Sequence, residues 1–341
     1  MNRVFMDEPV APNNGSNSNG AGKESEVSFR ESLDACGVDG VDFLKMDLPD
    51  RPRLMGDWFR KGDLGFVFAP RGIGKTWFCY LMISALTQGR KLDEWEVPEE
   101  VKICLLDGEM PPDGVQERLK ALGVSGRNLT VLSHQFLFDE SGKSFQLASD
   151  EQRTGLLDYC VTKGIDVLVL DNLSSISGIS ENDNDQWPQI GDWLLDFRRH
   201  GIAVIVIHHS GRNGQMRGAS RREDPAFWII KLDDSRERTA TEDGARFVTT
   251  FTKNRNARSW PTPIDWHINS DEDGHLEVKT EPADNAAMVL TYIQDGYEKC
   301  SDIATELDLS KGAVSKIAQR LESNGQISIT GKGNQKRYIP N

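Results

Sequence analysis

Residues 69 to 76 read Ala69-Pro70-Arg71-Gly72-Ile73-Gly74-Lys75-Thr76. Two glycines let successive backbone N–H groups turn toward one point, Lys75 adds a positive charge, and Thr76 offers an oxygen to a divalent cation. This is the chemistry of a polyphosphate cradle, the Walker A pattern, with Ala69 where the first glycine usually stands. The apolar run Leu64–Phe68 precedes the loop and a helical run follows it. The positive end of that helix adds to the anion site. Lys75 is expected on the β- and γ-phosphates of ATP and Thr76 on Mg²⁺.

Three further groups extend the pattern. Val167–Asp171 is four apolar residues ending in an acid, the form of a Walker B strand, and Asp171 is expected near Mg²⁺. Asn172 follows it, so no glutamate stands directly after the acid. Hydrolysis needs a group to orient or deprotonate water. Glu109, in Asp107-Gly108-Glu109-Met110-Pro111, is expected at the same sheet edge, and Asp107 is the competing carboxylate. His208-His209 ends the run Ala203–Ile207. Neighbouring residues on a strand point to opposite faces, so at most one of the pair faces the nucleotide. His209 is the candidate phosphate sensor.

These residues need a scaffold that brings strand ends together. Leu64–Ala69, Val101–Leu106, Val167–Leu170 and Ala203–Ile207 are near-continuous apolar runs, as expected of strands buried on both faces. Helical stretches at 77–87, 113–121, 151–163 and 186–200 alternate with them, which predicts an α/β domain with a mostly parallel sheet. Strands at 227–232, 246–253, 264–268 and 276–278 read as a β-rich end to the same domain. After a short linker at 282–285, residues 285–341 read as helices at 285–294, 301–307 and 311–323, then a hairpin at 326–330 and 336–339. This predicts a small winged-helix domain, with Ser301 as N-cap of its second helix. The boundaries are thus a disordered tail at 1–27, an ATPase domain at 40–280 and a winged helix at 285–341.

The composition bounds the function. The 341 residues are 38% hydrophobic and 27% charged, with a net charge of −13. That excludes a wholly basic DNA-coating protein, so any nucleic-acid site is a local basic patch. No apolar run is long enough to span a membrane, and no secretory signal opens the chain. The five scattered cysteines suit a reducing cytoplasm and form neither a disulfide framework nor a zinc site. Cys79 and Cys104 lie in apolar runs and are expected in the core. The tail lacks the large apolar side chains that would offset its ordering entropy.

Taken in order, Arg51-Pro-Arg53, the Walker A loop, Asp107-Gly-Glu-Met-Pro111, Asp171-Asn-Leu173, Glu181-Asn-Asp-Asn184, His208-His-Ser-Gly211 and Arg217-Gly-Ala-Ser220 resemble the RecA-like ATPases of the plasmid RepA replicative-helicase type, more distantly related to DnaB and KaiC. The resemblance covers roughly residues 40–270. It implies a RecA-like P-loop core and a homohexameric ring with ATP between subunits. It also implies a role in plasmid or mobile-element replication, with Glu109 as catalytic carboxylate on a strand neighbouring Walker A and His209 as the polar switch. It suggests Lys253 and Arg255, in Lys253-Asn-Arg255, as cations reaching a neighbour's γ-phosphate, with Arg258 as a rival. Two features depart from the family: Asn172 replaces a common proline, and the C-terminal domain is extra.

Two basic segments are candidates for DNA. Residues 210–222 carry Arg212, Arg217, Arg221 and Arg222 with no acid, a charge of +4. In a RecA-type ring such a loop would face single-stranded DNA in the channel, gripping backbone, since it has no aromatic for stacking. From Ser310 onward, Lys311, Lys316, Arg320, Lys332, Lys336 and Arg337 against Glu322 give +5, as expected of a recognition helix and wing on duplex DNA. The alternative is an ATPase that does not unwind, acting as a loader or as a regulatory switch through its winged helix.

Overall fold

The computed structural model describes residues 28–177, 187–209, 224–234, 244–258, 261–270, 276–307, 309–323 and 325–341. The predicted tail, the Glu181–Asn184 motif and the four arginines of the 210–222 segment lie outside them. The chain divides into two units, Met1–Asp50 and Arg51–Asn341. In the first, helix α1 (Phe29–Cys36) is closed by a capping box between Ser28 and Glu31. Helix α2 (Gly40–Phe43) is capped by Asp39.

The second unit opens with a small hairpin, β1 (Arg53–Met55) and β2 (Phe59–Arg60). Then follow β3 (Leu64–Ala69), α3 (Lys75–Gln88), β4 (Ile103–Asp107), α4 (Pro112–Ala121), β5 (Leu129–Ser133), α5 (His134–Ser141), α6 (Asp150–Lys163), β6 (Val167–Asp171), α7 (Leu173–Ser177), α8 (Trp187–Arg199) and β7 (Ala203–His209). The antiparallel part is β8 (Trp228–Asp234), β9 (Gly244–Asn254), β10 (Ile264–Ser270) and β11 (Leu276–Pro282). The chain ends with α9 (Asn285–Gln294), α10 (Cys300–Glu306), α11 (Lys311–Ser323), β12 (Ile327–Thr330) and β13 (Arg337–Pro340).

One sheet organises the unit, in the order β11-β10-β9-β8-β3-β7-β6-β4-β5. The pairs from β8 through β5 are parallel, and β9, β10 and β11 continue antiparallel. This is an α/β fold with a mostly parallel sheet. The apolar runs are strands because the sheet is covered on both sides. Val67 and Ala69 of β3 join one core cluster, while Leu64, Phe66 and Phe68 join the other. The same alternation sorts Ile205 and Ile207 from Val204 and Val206 on β7. Cys79 and Cys104 are buried, one in each cluster.

The predicted strand at 276–278 runs on to Pro282, and Asp284 is already the N-cap of α9, so the link is shorter than the sequence suggested. Val289, Ile293, Ile303, Val314, Ala318, Leu321 and Tyr338 pack into a third cluster that also takes Val248 of β9. Ser301 is not the cap of α10. The cap position is Lys299, and the Ser301 hydroxyl, inside the helix, donates to Asp302 at 2.9 Å. Buried Lys231 of β8 joins this C-terminal cluster to the sheet: it donates to the Tyr292 hydroxyl and pairs with Asp233 at 3.2 Å and Glu306 at 3.7 Å.

Candidate active site

Parallel strands that share a direction present their carboxyl ends at one edge. Register brings Ala69 of β3 beside His209 of β7, and Asp107 of β4 beside Asp171 of β6. The loop Pro70–Gly74 leaves β3 at that edge and enters α3 at Lys75. Gly74 has φ +120°, and a Cβ there would lie 2.7 Å from the Phe247 ring, so both conformation and space require glycine. The cavity above the loop has a volume of about 310 Å³, and Lys75, Thr76, Glu109, Asp171 and His209 all line it.

Lys75 is buried, and its ammonium donates to the carbonyls of Ala69 at 3.0 Å and Pro70 at 2.8 Å. Burial pulls its pKa down to about 8, against the opposing pull of the Asp171 and Glu109 charges. Asp171 is pushed up to about 7, first by burial and then by the negative charge of Asp107, with a hydrogen bond from Thr76 acting the other way. Its Oδ2 is buried and has no hydrogen-bond partner among the described residues. Buried polar atoms rarely go unpaired, so a cation beside Thr76 and Asp171 answers a cost the chain otherwise carries. The residues present therefore fit Mg²⁺ and a polyphosphate.

The two competing carboxylates separate cleanly. Asp107 is fully buried and accepts from the backbone N–H groups of Glu109 at 3.0 Å and Met110 at 2.8 Å and from the Tyr80 hydroxyl at 3.2 Å. Its oxygens shape the turn and hold no water-facing position. Glu109 projects from that turn with a half-exposed side chain, and its Oε2 lies 3.8 Å from His209 Nε2. The expectation of a strand neighbouring Walker A is corrected: β7 and β6 lie between β3 and β4. Glu109 reaches the site because the turn leans over the end of β6. Gly108 donates to the Asp171 carbonyl at 2.7 Å, and a Cβ on Gly108 would lie 2.2 Å from Ile176.

The histidine pair divides as alternation requires. His209 meets Asn172 at the cavity, whereas His208 does not line it. Several residues at or behind the cavity were not among the candidates that the sequence offered. Asn172 donates to Glu109, Tyr80 braces Asp107, and Arg118 lies over the Trp77 ring at 5.0 Å beside the cavity. Only Asn172, next to the Walker B acid, was findable by position.

The remaining candidates lie elsewhere. β9 runs antiparallel to β8, so Lys253 and Arg255 fall at the sheet edge opposite the phosphate loop of their own chain. Asn254 pairs with Trp228, which pairs with Gly65. Lys253 and Arg255 both donate to the Asp224 carbonyl, at 3.2 and 2.9 Å. Arg258 is exposed. In the C-terminal region Lys311, Lys316 and Lys332 are exposed and Lys336 is half-buried. Arg320 pairs with Asp284 and Arg337 with Glu298, each at 3.6 Å, so two of the six cations are partly neutralised.

A scan of protein families matches residues 32–215 to an AAA domain, more than half of the chain. The chain belongs to the AAA domain family. The matched span carries the phosphate loop, both strand-end carboxylates and the histidine pair of this AAA domain, which identifies it as a P-loop ATPase. No curated protein matches the sequence. Among solved structures, a KaiC-like protein from the hyperthermophilic archaeon Pyrococcus horikoshii is similar at 14% identity and a TM-score of 0.47, covering 67% of this chain and 99% of its own. Among the described residues, no helix is long and apolar enough to cross a membrane.

Proposed function

We propose that this AAA domain hydrolyses ATP at subunit interfaces of a homo-oligomeric ring, a hexamer in the RecA-like manner, and couples turnover to movement on single-stranded DNA. The proposed setting is plasmid or mobile-element replication. The observation that carries the ATPase reading is the meeting of Lys75, Thr76, Asp171, Glu109 and His209 on one cavity. Lys75 holds the terminal phosphates and Thr76 and Asp171 hold Mg²⁺, which supplies charge neutralisation on the phosphates. Glu109 orients the attacking water, and His209 registers the γ-phosphate at the end of β7. Lys253 and Arg255, remote from their own loop, serve a neighbour's site. The arginines of residues 210–222 are the proposed contacts to single-stranded DNA, and the C-terminal domain is a winged helix that touches duplex DNA through Lys311, Lys316, Lys332 and Lys336.

The test is steady-state ATPase with and without single-stranded DNA, on protein sized by light scattering. Stimulation of a ring-sized species supports the translocase. A flat response turns to the second reading, a loader or regulator, which the pairing of Arg320 and Arg337 with acids favours because it weakens the DNA-facing charge. For the interface, inactive Arg255→Ala subunits mixed with Lys75→Ala subunits are expected to regain turnover. Absence of recovery at every ratio removes the trans role.

A further inference from the structure

The side chain of Asn172 stands between the two groups assigned to water and to the phosphate sensor. It is 2% exposed. Its Oδ1 accepts from the Ser175 backbone N–H at 3.0 Å and from the Ser175 hydroxyl at 3.1 Å. A backbone N–H can only donate, so the amide has one orientation and its Nδ2 must point the other way. There Nδ2 donates to Oε2 of Glu109 and lies 3.1 Å from Nε2 of His209. An NH₂ group has two hydrogens, one for each acceptor. That arrangement makes Nε2 of His209 the acceptor and leaves its ring proton on Nδ1.

Glu109 needs such a holder. It sits on a short turn, its side chain is 53% exposed, and it has several rotamers of similar energy. A carboxylate that must meet a water in line with a phosphorus atom loses most of its effect when it wanders by an ångström. The buried amide, fixed at its other end by α7, selects one position. We infer that Asn172 is the positioning residue that holds the Glu109 carboxylate at the phosphate cavity and ties that position to His209. The inference rests on the reading of Glu109 as the water-orienting group.

Asn172→Asp separates the two halves of the side chain, because it keeps the Oδ1 acceptor for Ser175 and removes both N–H donors. In the full-length protein, kcat is expected to fall about 10- to 100-fold. KM and the affinity for a fluorescent ATP analogue with Mg²⁺ should stay within about twofold. Asn172→Ala, neutral, should show the same split and covers a folding failure of the charged variant. In single turnovers, Asn172→Asp combined with Glu109→Gln should be no slower than Glu109→Gln alone. Multiplying losses in the double variant would show that Asn172 acts apart from Glu109, and a parallel loss of nucleotide affinity would show a merely structural role. Either overturns the inference, as does wild-type turnover in both Asn172 variants while Glu109→Gln is inactive. A fully active Glu109→Gln enzyme would instead sink the reading of Glu109 itself, and the positioning role with it.

Discussion

Asp63 and Asp171 are buried carboxylates at opposite edges of the same sheet, and they are treated oppositely. Asp63, before β3, is surrounded by donors: the Arg51 guanidinium, the Arg60 N–H at 2.8 Å and the Asn256 amide at 2.6 Å. Arg51 in turn lies over the Phe227 ring at 4.5 Å and donates to the Lys61 carbonyl. Asp171, at the end of β6, keeps one oxygen without a partner among the described residues and stands among other acids. Burial raises the pKa of both, but only Asp63 is answered by a neighbouring guanidinium. The closed edge spends its acid on holding β1–β2, β3 and the end of β9 together. The open edge turns its acid toward the cavity that also holds Lys75, Thr76 and Glu109.

The contrast can be broken at its strongest point first. Lys75→Ala removes the ammonium from the open edge and is expected to lower ATP turnover by more than about 100-fold in a steady-state assay; unchanged turnover would remove the loop from the mechanism. At the closed edge, Asp63→Ala strands Arg51 and Asn256 and is expected to destabilise the fold by about 3 kcal/mol in denaturant titration. The matching Asp171→Ala, measured without Mg²⁺, should stay within about 1 kcal/mol, because no donor loses its only partner except Thr76. Equal losses at the two positions would erase the distinction between the edges.

A smaller effect sharpens the electrostatic side. Burial sets Lys75 at about 8 in the free enzyme, and only the protonated form holds phosphate. Protonated Lys75 dominates below that pH and is lost above it. kcat/KM for ATP is therefore expected to fall by about tenfold per unit as pH rises beyond about 8, while kcat, which reports the phosphate-bound lysine, falls later. A kcat/KM profile flat to pH 10 would contradict a buried, lowered lysine.

Much of the open edge was legible in the chain. The Walker A loop, Asp171 and His209 follow apolar runs, and such runs end at a common edge whenever they pair in parallel. The helix starts and strand limits of the core were read to within a few residues for the same reason: near-continuous burial leaves little choice of element. Less regular parts escaped. The β1–β2 hairpin is short, β5 is an edge strand of mixed polarity, and α7 has only five residues. None of them shows a periodic apolar pattern. The sequence put Glu109 forward with Asp107 as its competitor, but what each of two acids two residues apart meets when folded was closed to it.

By itself the sequence determined an α/β P-loop ATPase, because strand burial, glycine placement and a Gly-Lys-Thr turn are local consequences of residue type. It also fixed which residues carry charge. Which charges meet was decided by the tertiary structure. Strand order set β6 and β7 between Walker A and Glu109, the lean of the Gly108 turn over β6 carried Glu109 back, and Asn172 became the link between Glu109 and His209. Antiparallel pairing of β9 took Lys253 and Arg255 to the far edge. Such contacts join residues tens to hundreds of positions apart, and their energies depend on distances of a few ångströms that only packing fixes.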